Sequence, residues 1–259
     1  MTPNARFKAR LTARQPLVGC FVKTPHPMVV EVLGATGLDF LVLDAEHSPF
    51  DRTAIDTCLL AARAVGAAVL VRVPDDRPST ILAALDGGAA GVLVPHVTTP
   101  GQARALTDAV RYVPGGRGIA GTTRAGEYGQ RPLADHRRAA VDEVSLIVQI
   151  EDREGVENHA AIAAIDGVDA LFVGRADLSL SLGRDDFSSP QIDAVAARIL
   201  SVAGAATGLF CAPTEDFSRW AAEGASFAVV GADHSFLIAG ARALASRFAP
   251  ASHPQGDRP

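Results

Sequence analysis

Residues 145–178 read S-L-I-V-Q-I-E-D-R-E-G-V-E-N-H-A-A-I-A-A-I-D-G-V-D-A-L-F-V-G-R-A-D-L. At each end a short apolar run stops at a carboxylate, Glu151 in the first case and Asp177 in the second. Apolar runs of this length bounded by polar residues are what strands buried on both faces look like. The segment between them places Val156, Ala160, Ile162 and Ala163 near one helical face and ends at Gly167. It therefore reads as a crossover helix, which sets the second strand beside the first and parallel to it. Glu151 and Asp177 are then expected together at the carboxyl end of a sheet, where α/β folds carry their chemistry.

The same unit recurs along the chain. Apolar runs at Leu17–Val22, Phe40–Leu43, Ala67–Val73, Gly91–Val94, Leu146–Ile150, Ala170–Val173, Leu209–Ala212 and Phe227–Val230 are each followed by a helical pattern. The helices are expected at Met28–Thr36, Arg52–Val65, Pro78–Asp86, Gln102–Tyr112, Val156–Ile165, Ile192–Ala206, Phe217–Glu223 and Phe236–Phe248. Eight such units in 259 residues specify an α/β protein, a (β/α)8 TIM barrel. An open doubly wound sheet is disfavoured by the absence of a glycine-rich dinucleotide fingerprint. Residues 2–14 form an N-terminal helix, and a Gly-rich insertion at 113–131, followed by a helix at 132–144, precedes the fifth strand. Long insertions of this kind usually serve as lids or interface loops. No composition shift divides the chain, so residues 1–259 are expected to form a single domain, with a disordered tail at 249–259.

The composition, 48% hydrophobic and 20% charged, is that of a globular protein, and a net charge of −5 argues against nucleic acid or an acidic membrane as partner. No apolar run approaches the roughly 18 residues of a membrane span, and the expected location is the cytoplasm. Cys20, Cys58 and Cys211 are widely spaced and read as buried free thiols.

Several strand ends deliver ionisable groups to one ring. The second run ends in Asp44, Glu46 and His47, the third in Arg72, the fifth in Gln149 and Glu151, and the sixth runs on through Gly174 and Arg175 to Asp177. Glu151 and Asp177 offer oxygen ligands suited to a divalent metal cation such as Mg²⁺, Mn²⁺ or Co²⁺; the plainer alternative is a pair of salt bridges with Arg153 and Arg175. Arg72 suits a carboxylate or enolate oxygen, or else a structural pair with Glu46 or Asp44. His47 is the candidate acid–base group, with His96, after Val94-Pro95 at another strand end, a weaker one. With only Lys8 and Lys23 in the chain, a Schiff base has one candidate, and metal-assisted enolisation of a 2-oxo acid fits better.

The motifs L-D-A-E-H at 43–47, V-R-V at 71–73, L-D-G-G-A-A-G-V-L-V-P at 85–95, R-Y-V-P-G-G-R-G at 111–118, V-Q-I-E at 148–151 and V-G-R-A-D-L-S at 173–179 stand in an order that resembles the HpcH/HpaI aldolases. These are metal-dependent (class II) pyruvate aldolases related to the citrate-lyase and malyl-CoA lyase barrels. The resemblance implies a homo-hexamer, a trimer of dimers, with active sites at subunit boundaries. It makes Glu151 and Asp177 the metal ligands, Arg72 the enolate stabiliser, and His47 with Asp86 the acid–base dyad. Gln149 and the backbone of Gly174, Arg175 and Ala176 would surround the keto acid. Arg124 and Phe210 would lie on the aldehyde side, and Asp44 near a subunit boundary. Two positions depart from the family pattern, Arg175 where Pro is common and Phe21 where Trp is frequent. Phe21, Lys23 and Thr24 can accommodate hydroxypyruvate as well as pyruvate.

The implied activity is reversible aldol addition and cleavage between a 2-oxo acid and an aldehyde. The alternatives are a CoA-thioester lyase on the same fold and a non-catalytic keto-acid-binding barrel.

Overall fold

In the computed structural model, which describes residues 1–248, eight parallel strands close into a barrel in simple chain order. The tail expected at 249–259 lies outside the described residues. The strands are β1 (Leu17–Val22), β2 (Phe40–Asp44), β3 (Val69–Arg72), β4 (Gly91–Val94), β5 (Ser145–Ile150), β6 (Ala170–Val173), β7 (Ala206–Cys211) and β8 (Phe227–Ala232). The helices are α1 (Pro3–Thr12), α2 (Pro27–Gly34), α3 (Arg52–Val65), α4 (Pro78–Asp86), α5 (Pro100–Val110), α6 (Leu133–Glu143) and α7 (Arg153–Ala163). They continue as α8 (Arg175–Ser181), α9 (Pro190–Leu200), α10 (Phe217–Ala222) and α11 (Asp233–Phe248). None is long and apolar enough to cross a membrane among the described residues.

Side chains alternate across each strand, and this splits the core in two. Leu41, Leu43, Val69, Val71, Val92, Val94, Leu146 and Val148 face outward and pack beneath the helices. Phe40, Val42, Leu70, Leu93, Ile147, Phe172, Phe227 and Val229 fill the barrel interior. The interior alternates large with small. A Cβ on Gly208 would stand 2.4 Å from the carbonyl oxygen of Phe227 and 2.6 Å from its ring, so a glycine on β7 makes room for the aromatic ring on β8. Helix α1 brings Phe7 and Leu11 into the same interior cluster, with the Phe7 ring centroid 5.1 Å from that of Phe40. This closes the end of the barrel at which the strands begin.

The sixth strand spans Ala170–Val173 as the sequence expects, but Arg175 then opens a short helix, α8, that the expected set of helices lacks. The ninth helix ends at Leu200, and β7 starts at Ala206 instead of Leu209. There Gly204 takes a left-handed φ of 100°, and Thr207 Oγ1 donates to the carbonyl of Leu200, ending the helix. The small residues Ala206 and Gly208 give little apolar signal of their own, because they serve the large rings opposite them.

Truncating the interior ring leaves a cavity that closed strands cannot collapse around. Phe227→Ala is expected to lower the unfolding free energy by about 3–5 kcal/mol, measured by urea denaturation.

Candidate active site

The inward positions at the far end of the barrel cannot be apolar without presenting grease to water, and there the pattern turns polar. Asp44, Arg72 and Gln149 take the inward turn after Val42, Leu70 and Ile147. Below them Phe21 stacks on Phe210 at 6.2 Å and meets Phe172 edge-on at 6.5 Å, making an aromatic floor. The Arg72 guanidinium lies 4.5 Å above the Phe21 ring centroid, a cation–π position.

Asp44 is fully buried and organises this rim. Its Oδ1 accepts from Arg72 Nε (2.9 Å) and from the His47 N–H (3.1 Å), and stands 2.8 Å from Arg72 Nη2. Lys23 Nζ lies 3.0 Å from Oδ2. Burial alone would raise the Asp44 carboxyl, but Arg72 first, then the His47 N–H and Lys23, hold it below the usual carboxylate range. A residue sealed this way faces the interior of the barrel. Arg72 does form the structural pairs weighed from sequence, with Asp44 and, through Nη1 at 3.3 Å, with Glu46.

Glu151, directly after β5, is also fully buried, but no lysine or arginine pairs with it among the described residues. Its Oε1 accepts from the backbone N–H of His96 at 2.9 Å, and Gln149 Nε2 donates to its Oε2. Burial pushes its carboxyl above the usual range, against those hydrogen bonds. A Cβ on Gly174 would come within 2.3 Å of Glu151 Oε2 and 3.1 Å of Gln149 Nε2. Glycine at that position keeps open the space beside the carboxylate. Glu46, His96 and Glu151 each turn one donor atom into a common region, all within 4.8 Å of one another.

Asp177 lies half-buried in the first turn of α8, with no ion pair or side-chain hydrogen bond among the described residues. The salt bridges set against metal binding are therefore not formed. Arg175 turns instead to the outer wall, where Nη2 donates to Glu215 Oε2 (2.6 Å) and the Phe210 carbonyl (3.1 Å) while the guanidinium stacks on Trp220 at 4.9 Å. Only its backbone, with Gly174 and the exposed Ala176, stays beside the mouth.

His47 is at the rim, its side chain 52% exposed and its Nε2 3.7 Å from Glu46 Oε2. Asp86 is not beside it. It ends α4, the helix that returns the chain to the start of β4, and bonds to Arg117 Nη2 at 2.6 Å. Arg124 likewise holds Asp56 (2.8 and 3.0 Å) and the Gly87 carbonyl (2.9 Å) between α3 and α4. The Gly-rich insertion thus runs its polar contacts to the outer wall rather than over its own mouth. Sequence reasoning gave Glu46 no role beyond pairing Arg72, and ranked His96 low. Their signal was position alone, each lying just past a strand end.

The sequence profile of the HpcH/HpaI aldolase/citrate lyase family matches residues 17–239. The chain belongs to that family. A 5-keto-4-deoxy-D-glucarate aldolase of Klebsiella pneumoniae subsp. pneumoniae is 38% identical over 251 residues, covering 95% of this chain and 97% of the relative. The crystal structure of a family member from Burkholderia cenocepacia J2315 superposes with a TM-score of 0.88 at 34% identity, over 94% of this chain and 98% of that one. The citrate synthase SbnG superposes at 0.80 with 29% identity, over 93% and 96%. The enzyme is thus a carbon–carbon lyase of the aldolase type.

Because the Gly174 position abuts the Glu151 carboxylate, Gly174→Ala is expected to leave the far-ultraviolet circular dichroism of the enzyme unchanged. The same variant should weaken divalent-cation binding by about tenfold or more, the scale of a disturbed ligand environment, measured by isothermal titration calorimetry.

Proposed function

We propose that this class II aldolase joins and cleaves a pyruvate-type 2-oxo acid, pyruvate or hydroxypyruvate, and an aldehyde through an enolate. The observation that carries this is the contrast within one rim: a buried carboxylate, Glu151, with no lysine or arginine partner among the described residues, beside an arginine locked in place, Arg72. A buried anion that no lysine or arginine neutralises is suited to a metal ion. Glu151 and Asp177 would hold a divalent cation, Mg²⁺, Mn²⁺ or Co²⁺. When bound, such an ion acts as a Lewis acid that makes the carbon next to the 2-oxo group easier to deprotonate.

The chain's own groups supply the remainder. Asp44 fixes Arg72 through Nε and Nη2, so its remaining N–H groups are pre-aimed at the developing enolate oxygen. Gln149 Oε1 is buried without a hydrogen-bond partner among the described residues, which supports its place beside the keto acid. The backbone of Gly174, Arg175 and Ala176 would receive the acid's carboxylate. In cleavage, His47 accepts the proton of the substrate hydroxyl. The adjacent carbon–carbon bond breaks, its electron pair enters the enolate, and the aldehyde leaves past Phe210. Proton return to the enolate carbon completes the cycle. Phe21, Lys23 and Thr24 flank the donor, and the relatives' name makes 5-keto-4-deoxy-D-glucarate the first cleavage substrate to offer.

Asp86 and Arg124 sit on the outer wall, so they would reach His47 and the aldehyde only from a neighbouring copy. A homo-hexamer, a trimer of dimers, is supported by α11, whose Leu237, Ile238 and Leu244 are exposed while only Asp233 of the helix is buried. The enzyme would work in the cytoplasm. The citrate-synthase neighbour supports a second reading, a lyase acting on CoA thioesters, which cleavage assays with and without such esters separate.

The decisive measurement is exchange of the α-protons of pyruvate and hydroxypyruvate in deuterium oxide, followed by NMR with and without Mg²⁺, Mn²⁺ or Co²⁺. Cation-dependent exchange is expected for at least one acid. No exchange of either acid with any cation overturns the proposal. His47→Ala should slow aldol cleavage by about 10²–10⁴-fold, the usual contribution of an acid–base group, with cation affinity retained.

A further inference from the structure

His96, like Glu46 beside it, is left without a task by the aldol chemistry above. It follows Val94-Pro95 at the end of β4 and holds a left-handed φ of 55°, which non-glycine residues seldom adopt. Its backbone N–H is tied to Glu151 Oε1, and its ring lies over the same carboxylate, Nδ1 standing 3.4 Å from Oε1. The ring is also anchored from outside. Nδ1 is 3.0 Å from Asp152 Oδ2, and because a carboxylate can only accept, this hydrogen bond places the proton on Nδ1. In the neutral imidazole Nε2 then carries the free lone pair, and it faces Glu46, 3.7 Å from Oε1.

A histidine that binds a metal usually donates its other ring N–H to a carboxylate, which fixes both ring and tautomer. His96 and Asp152 reproduce that arrangement. The three donor atoms lie within 4.8 Å of one another, with Nε2 3.7 Å from Glu46 Oε1, and would draw in to the roughly 3.0–3.4 Å that ligands about 2.1 Å from a shared cation keep. Gln149 Oε1, buried and without a partner among the described residues, adds an unpaired acceptor on the side chain that also contacts Glu151. The plainer alternative is a rim histidine that simply bridges three acids.

We infer that His96 supplies a nitrogen donor, through Nε2, to the cation of this site, with Glu46 and Glu151 as its oxygen partners and Asp152 as the group that orients the ring. The inference rests on the metal-dependent reading above. Glu151 is common to this set and to the Glu151–Asp177 pair, so His96 and Glu46 enlarge that pair rather than replace it. The chemical consequence is selectivity. Carboxylate and water ligands suit Mg²⁺, whereas an imidazole nitrogen shifts a site toward the later first-row ions such as Co²⁺, Ni²⁺ and Zn²⁺.

The test uses the tag-free full chain, stripped of metal and loaded with substoichiometric Mn²⁺. Electron spin-echo envelope modulation detects nitrogen bonded to the ion directly. The expected result is imidazole ¹⁴N coupling in the parent enzyme that is lost in His96→Asn, a residue that tolerates the left-handed backbone. Titrations should also show Co²⁺ affinity falling about 10–100-fold in His96→Asn and in Asp152→Asn, with Mg²⁺ affinity falling less. Bound Mn²⁺ without nitrogen coupling, or coupling that survives in His96→Asn, overturns the assignment of His96 and leaves the metal-dependent aldolase standing. Failure of the parent enzyme to bind Mn²⁺ at all overturns both together.

Discussion

The Asp44–Arg72 pair is the contact around which the mouth of this barrel is built. It joins neighbouring strands at the same register level, Asp44 on β2 opposite Arg72 on β3. An arginine this deep, its side chain 8% exposed, would be costly alone. Asp44 removes that cost by accepting from Arg72 and the His47 N–H, with Lys23 beside its other oxygen. One buried carboxylate thereby fixes a cation, the start of the β2 loop and the end of β1. Everything else at the rim is arranged around a guanidinium that can no longer turn.

The remaining charges are not balanced in the same way. Glu46 touches Arg72 only through its outer nitrogen, and Glu151 has hydrogen bonds and the His96 ring but no lysine or arginine partner among the described residues. Burying a carboxylate on hydrogen bonds alone raises its pKa, as it does for Glu151. Rim and core therefore obey different rules. The core below is apolar, interlocked and saturated, with Phe172 stacked on Phe227 at 6.1 Å. The rim keeps one unmet electrostatic demand, and such unmet demands are where ligands bind.

The barrel was legible in the sequence because two periodicities repeat through it, and α3 and α4 begin and end at the expected residues. So was the delivery of Asp44, Arg72, Gln149 and Glu151 to one end, which follows from alternation along buried strands. Side-chain direction after a strand ends was not legible. Arg175 directly follows Gly174 yet points to Glu215 and Trp220, because opening α8 rotates it away from the mouth. The same helix is too short to show a period and is missing from the expected helices. Asp86 and Arg124 illustrate a different limit. The family resemblance implies a role for both, but the wall on which they stand depends on the path of the insertion. His96 shows a third, since its role turns on a backbone angle and on Asp152, neither visible in V-L-V-P-H.

The α1 plug has a kinetic meaning. With Phe7 and Leu11 packed into the strand-starting end, the barrel is a blind well and not a tunnel. On the proposed chemistry, both halves of the aldol would use one doorway. A keto acid held near Gln149 and Glu151 would lie deeper than its aldehyde partner, so the aldehyde would depart first and arrive last. A plug that seals the core would thus also set the order of traffic.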